Sequence, residues 1–146
     1  MLLTRRFLPF LLCFAVAAIA AQPELSIDRA GNEPARRDGT NTVAFTTVIE
    51  GVVSNPGLSV YVLVKSPDAV NERVFAAAVD GSKPDSERGY RWRAVCLFGE
   101  IMGTAGGSYE ARAAAINPAV IQRGELLETL KTSKVKSDVI TLTRGK

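Results

Sequence analysis

The chain has 146 residues, with 18 Lys and Arg against 15 Asp and Glu, and it contains no histidine. Without histidine there is no Ser-His-Asp or Cys-His nucleophile and no His-ligated metal site. The composition therefore argues against an ordinary enzyme, and no catalytic residue, cofactor or metal is expected.

The first residues read as an export signal. Arg5 and Arg6 make a positive start, and an apolar run from Phe7 to Ala21 follows. The run ends in the small residues Ala18-Ile19-Ala20-Ala21, which suit peptidase cleavage after Ala20 or Ala21. Beyond Pro9 the apolar stretch is about a dozen residues, short of the roughly 20 that a spanning helix needs. Residues 1–21 are thus expected to be a removable signal peptide, leaving no stable membrane span. Thr4-Arg5-Arg6-Phe7-Leu8 approaches a twin-arginine signal, but Pro9 stands where a second apolar residue is wanted, which favours ordinary unfolded export. Cys13 lies inside the apolar run behind Leu11 and Leu12, the wrong setting for a lipid anchor.

Removing the signal takes Arg5 and Arg6 from the 18 basic residues and leaves 16 against 15 acidic ones, a net charge of +1. The basic balance of the whole chain mostly reports its signal, so no nucleic-acid partner is implied. Cys96 becomes the only cysteine, and residues 22–146 must fold as one domain on an apolar core without an internal disulfide.

Side-chain periodicity past the signal is two. Leu58, Val60, Val62 and Val64 form one row; Tyr90, Trp92, Ala94, Cys96 and Phe98 a second; Tyr109, Ala111, Ala113 and Ala115 a third. Residues 24–28, 43–53, 73–79 and 138–144 are further strand candidates. Asn55-Pro56-Gly57 supplies a tight turn, and residues 80–85 and 103–108 supply looser loops. Residues 124–131, with Leu126, Leu127 and Leu130 at helical spacing, predict a turn or two of helix. No long helical crossover separates the strands, so an all-β, antiparallel β-sandwich of about seven strands is expected.

Several segments in order carry a family likeness. Val52 to Gly57 leads into Val60 to Pro67; then come Trp92, Phe98-Gly99, Gly107 to Glu110, Gly124 to Leu127 and the closing stretch to Arg144. From Leu25 to Arg144 the chain resembles a small immunoglobulin-like module of bacterial exported and membrane-associated proteins. The resemblance implies an immunoglobulin-like sandwich and no assigned activity, because the matching residues are turn and core positions. Such modules often carry adjacent tryptophans after the first Pro-containing turn, and residues 71–74 have none.

The remaining residues of interest are weighed by their neighbours. Cys96 shares the Trp92 row and reads as a buried small hydrophobe. Tyr109 opens a strand after Gly106-Gly107-Ser108, a setting that suits a backbone-bonding corner tyrosine. Arg91 and Arg93 flank Trp92, so an inward Trp92 turns both outward. Asp80, Asp85 and Glu87 match no EF-hand spacing, and Lys83 and Arg88 intervene, which argues against calcium. Residues 103–107 precede a strand rather than joining a strand to a helix, so they make no phosphate cradle.

The function expected is that of an exported, non-catalytic binding module, periplasmic or extracellular. Its partner would be another envelope or exported protein, or a cell-wall component. Contacts are expected from edge strands and from the loops at residues 66–72, 80–89 and 103–108, with Tyr61, Asp80, Asp85, Arg91 and Arg93 as candidate binding residues. The alternative is a carbohydrate module that stacks sugar on Tyr61, Tyr90 or Trp92.

Overall fold

The computed structural model describes residues 24–66, 72–100, 105–120 and 125–146. The expected signal peptide, Cys13, residues 67–71 and 103–104 of two candidate loops, and Gly124 of the helix candidate lie outside the described residues.

Two β-sheets share one core. The first, sheet A, has the order β2-β1-β4-β8-β7, formed by β1 (Leu25–Ala30), β2 (Glu33–Pro34), β4 (Thr46–Val53), β7 (Ala78–Val79) and β8 (Tyr90–Leu97). Sheet B has the order β3-β11-β9-β5-β6, formed by β3 (Thr40–Val43), β5 (Ser59–Lys65), β6 (Arg73–Ala76), β9 (Ser108–Ile116) and β11 (Ile140–Arg144). A two-residue strand, β10 (Val135–Lys136), also pairs with β9. The all-β sandwich expected from period-two patterning is therefore present.

Three expectations need correction. Residues 43–53 are not one strand: β3 ends at Val43, a short turn intervenes, and β4 begins in the other sheet. Residues 73–79 likewise divide at Ala77, whose N–H still bonds the Val60 carbonyl of sheet B at 2.9 Å before the chain joins sheet A. The sandwich is also not wholly antiparallel, because β3 runs parallel to β11 from Thr40↔Thr141 to Val43↔Arg144. Hydrophobic pattern cannot reveal these changes, since a strand that moves between sheets keeps its inward side chains on the same core.

The core is built from the predicted rows. Trp92, Ala94, Cys96 and Phe98 from the β8 row meet Val60, Val62 and Val64 of β5, Ala111, Ala113 and Ala115 of β9, and Ile140 and Leu142 of β11. Tyr109 lies edge-on to Phe98, with ring centroids 5.6 Å apart and planes at 70°, a favourable aromatic geometry. Asn41 of β3 is a fully buried polar group; it accepts the Arg36 N–H and donates to the Pro34 carbonyl, both at 2.9 Å, which holds the bend between β2 and β3. Arg144 closes the last strand by lying over the Phe45 ring, 5.2 Å from its centroid, and donating to the Glu100 carbonyl.

Sheet B is apolar on its outer face as well. The predicted helix forms as α1 (Leu126–Thr132), and its Leu130 is fully buried against Leu63, Ala114 and Ile116. Strict alternation of buried and exposed residues therefore fails along β5 and β9. Seven residues are too few for a helix stable alone, so burial of this leucine face holds it in place.

Gly51 sits opposite Trp92 in the β4–β8 register. A β-carbon there would lie 1.8 Å from the Ser26 carbonyl oxygen and 2.6 Å from the indole Cζ2. The strand paired on the other side, β1, has its bulge between Ile27 and Arg29, beside Gly51. Gly51→Ala is expected to destabilise the protein by about 3 kcal/mol through overpacking, measured as a lowered denaturant midpoint with unchanged slope.

Cys96 is the free cysteine of the described residues and is fully buried. Burial pushes its thiol up to about 12 from an ordinary 9.0, because a thiolate is poorly solvated there. Native protein at pH 8 is expected to resist a disulfide-exchange reagent until unfolded. Because the folded value is raised, the thiol's contribution to stability is intact below pH 9.0 and falls away as pH rises toward about 12. Denaturant titrations across that range check the sign.

Candidate functional site

The expected binding residues fall into two places. Asp80, Asp85, Arg91 and Arg93 line one recess of about 350 Å³ on sheet A, together with Val79 and Lys83. Tyr61 is on sheet B, half-buried against the cluster under α1. Tyr61 therefore does not join the other four.

The recess is organised by a tight loop between β7 and β8. Asp80 Oδ1 accepts from the Ser82 N–H at 3.1 Å and from its hydroxyl at 2.6 Å. The Asp85 N–H donates to the Gly89 carbonyl at 2.8 Å, and Ser86 bridges Gly89. Gly89 has φ +135°, and a β-carbon there would be 2.3 Å from the Val53 carbonyl oxygen, so only glycine lets the loop close over the end of β4. Arg91 then grips Asp85 with two bonds, Nε to Oδ1 at 3.1 Å and Nη2 to Oδ2 at 2.7 Å. This fork holds the Asp85 carboxyl below its ordinary value and raises the Arg91 guanidinium; the Ser82 bonds lower Asp80 in the same way.

Trp92 points inward and Arg91 and Arg93 point outward, as alternation requires. The outward arginines are engaged with carboxylates. Arg93 Nε lies 2.7 Å from Glu50, which Arg29 also approaches at 4.0 Å; Arg88 lies 2.9 Å from Asp28. A second, wider recess of about 640 Å³ shares Glu50 and Arg93, so the ionic surface continues across the sheet. Exposed pairs contribute about 0–1 kcal/mol each, so this lattice acts more on side-chain orientation and partner choice than on stability.

Sequence reasoning missed the edge beside this recess. All eight residues of β8 pair with β4, but only Trp92 and Arg93 pair with β7. The Asp80 N–H bonds the Arg91 carbonyl on the β7 side at 2.9 Å. At period two, Val95 and Leu97 direct their N–H and C=O groups to that same side, where no described strand continues the pairing. Val95 itself is 57% exposed. Its place in the outward row with Arg91 and Arg93 was a visible signal; the shortness of β7 was not.

Trp92 is fully buried, which removes it as a sugar-stacking platform, and Tyr90 is half-buried against the core. Among the described residues no group of three or more Cys, Asp or Glu side chains could hold a metal ion. No helix among them is long and apolar enough to cross a membrane. No protein-family model matches the chain, and no curated protein matches it either.

Asp85→Asn should leave the global unfolding midpoint nearly unchanged and speed amide exchange at Asp85, Ser86 and Gly89. Acid should act in the same direction. Because the folded carboxyls of Asp80 and Asp85 sit below 3.8, their contribution is intact above that pH and is lost as pH falls beneath it. Site-resolved exchange at descending pH measures both effects.

Proposed function

We propose that this chain is an exported, non-catalytic interaction module that takes an extended strand of a partner onto the open edge of β8. The observation that carries this reading is the edge itself. Past Arg93 no described strand pairs with the outer side of β8 at Val95 and Leu97, and the Asp80–Asp85–Arg91–Arg93 recess adjoins them along the same strand. Strand addition gains affinity from main-chain hydrogen bonds and specificity from neighbouring side chains. The ionic recess would favour a partner strand flanked by charge.

The proposal includes an immunoglobulin-like arrangement and a removable signal at residues 1–21. Support for the former comes from the sheet orders and from the early chain, which supplies β1 to sheet A and then β3 to sheet B, parallel to the last strand. Support for the latter is the charged start, short apolar run and small-residue end of the sequence. On this reading the protein works in the periplasm or outside the cell, and its partner is another exported or envelope protein. Absence of histidine from the sequence supports a non-catalytic role. A carbohydrate role has less support, because Trp92 is buried and Tyr61 and Tyr90 are half-buried in packing.

The test is crosslinking capture from the protein's own envelope fraction, read by mass spectrometry, with wild type and Val95→Lys compared. Lysine on an open edge opposes strand pairing, so the variant should lose about tenfold in partner recovery, equivalent to about 1.4 kcal/mol. Equal recovery by both proteins, with native melting behaviour in each, would overturn the edge as the contact.

A further inference from the structure

The opposite face of the sandwich holds a recess whose four charged side chains form no ion pair among the described residues. About 260 Å³ in volume, it is lined by Leu63 and Lys65 of β5, Glu72 just ahead of β6, Glu110 and Arg112 of β9, and Val139 ahead of β11. Lys65 and Glu110 are directly opposed in the β5–β9 register, with Arg112 opposite Leu63 on the same outer face. Residues so placed have β-carbons about 5 Å apart. Even so, none of these four charged groups forms an ion pair among the described residues. On sheet A, by contrast, Glu50, Asp85 and Asp28 each hold an arginine.

Glu72 adds an independent observation. Glu72 is half-buried at the recess, and its Oε2 atom, little accessible in this conformation, has no hydrogen-bond partner among the described residues. A buried carboxylate oxygen without a donor is costly, and such atoms in folded proteins are normally satisfied by water, an ion or a ligand. A divalent metal suits the recess poorly, because it offers two carboxylates beside two cations. A nitrogen donor fits better: an ammonium or guanidinium can bond Glu72 and Glu110 directionally. Arg112 and Lys65 are then left to hold a carboxylate.

We propose that this recess binds a zwitterionic amino-acid group, its ammonium or guanidinium toward Glu72 and Glu110 and its carboxylate toward Arg112 and Lys65. The size agrees: 260 Å³ is about nine times the volume that one water occupies in the liquid, enough for one amino acid. Leu63 and Val139 supply apolar contact for a short methylene chain. The same chemistry is offered by a free basic amino acid and by a peptide that ends in one. The recess is on the face away from the β8 edge, so the two sites are independent.

The experiment is an NMR titration of the purified protein with L-lysine, with an N-acetylated peptide ending in lysine, and with lysine blocked at both its amino and carboxyl ends. Saturable shifts are expected at the amides of Leu63, Lys65, Glu72, Glu110 and Arg112. Binding of free lysine alone would identify a free amino acid as the source; binding of the peptide as well would identify a chain end. Glu72→Gln should weaken binding at least tenfold. Arg112→Gln should reduce lysine to the affinity of the doubly blocked form, which retains only the side-chain cation, and Val95→Lys should change nothing. Absence of saturable shifts at tens of millimolar, or equal affinity in wild type, Glu72→Gln and Arg112→Gln, would overturn the proposal. Should Glu72→Gln fail to fold, Arg112→Gln on the outer strand surface decides the matter.

Discussion

The indole of Trp92 occupies the space that a side chain at position 51 would fill, and the arrangement of sheet A follows from that contact. Gly51 lets β4 pass beneath the ring, and the bulge in β1 falls where the Ser26 carbonyl also crowds Gly51. With Trp92 seated, Ala94, Cys96 and Phe98 fall on the same inward row and meet the short side chains of β9. The contact has a cost. The indole N–H is buried without an acceptor among the described residues, a penalty of about 1–3 kcal/mol. Full burial of the largest side chain in the core offsets it, since apolar burial contributes about 25 cal/mol per Å².

An inward Trp92 also decides the outer chemistry. Its neighbours Arg91 and Arg93 must face solvent, where Asp85 and Glu50 take them up. The β7–β8 loop is tied to that face through Asp85, while Gly89 brings it close over the end of β4. Sheet A thus presents a surface of matched charges ending at an edge where, among the described residues, β7 alone pairs with β8 on its outer side. Sheet B solves its outer face differently, by covering apolar side chains with α1 and leaving a recess of mixed charges that form no ion pair among the described residues. The two faces of one small domain therefore offer different chemistry: open main chain on one, a charged recess on the other.

Some of this was legible in the residues. The Tyr90 to Phe98 row, the β5 and β9 rows and the leucine-spaced helix were readable because period two and helical spacing are local properties. The outward direction of Arg91 and Arg93 followed from the same geometry. The clustering of Asp80 and Asp85 with those arginines was not readable, since it depends on a loop folding back toward β8. That Tyr61 stands apart from that cluster was likewise not readable, because alternation gives a residue's face but not the sheet to which its strand belongs. Val95 was overlooked because an outward valine is ordinary on a surface until the neighbouring strand is seen to stop short.

By itself, then, the sequence determined the all-β class, the rows that make the core, the leucine-spaced helix and the lack of histidine chemistry, all set by residue type and short-range spacing. Tertiary structure alone decided where strands switch sheets and that β3 runs parallel to β11. It also decided the length of exposed β8 edge and which charges meet. Those outcomes depend on contacts between segments far apart in the chain, such as Arg88 with Asp28 or Arg73 with Gly99. Their geometry is set only when both sheets close on Trp92.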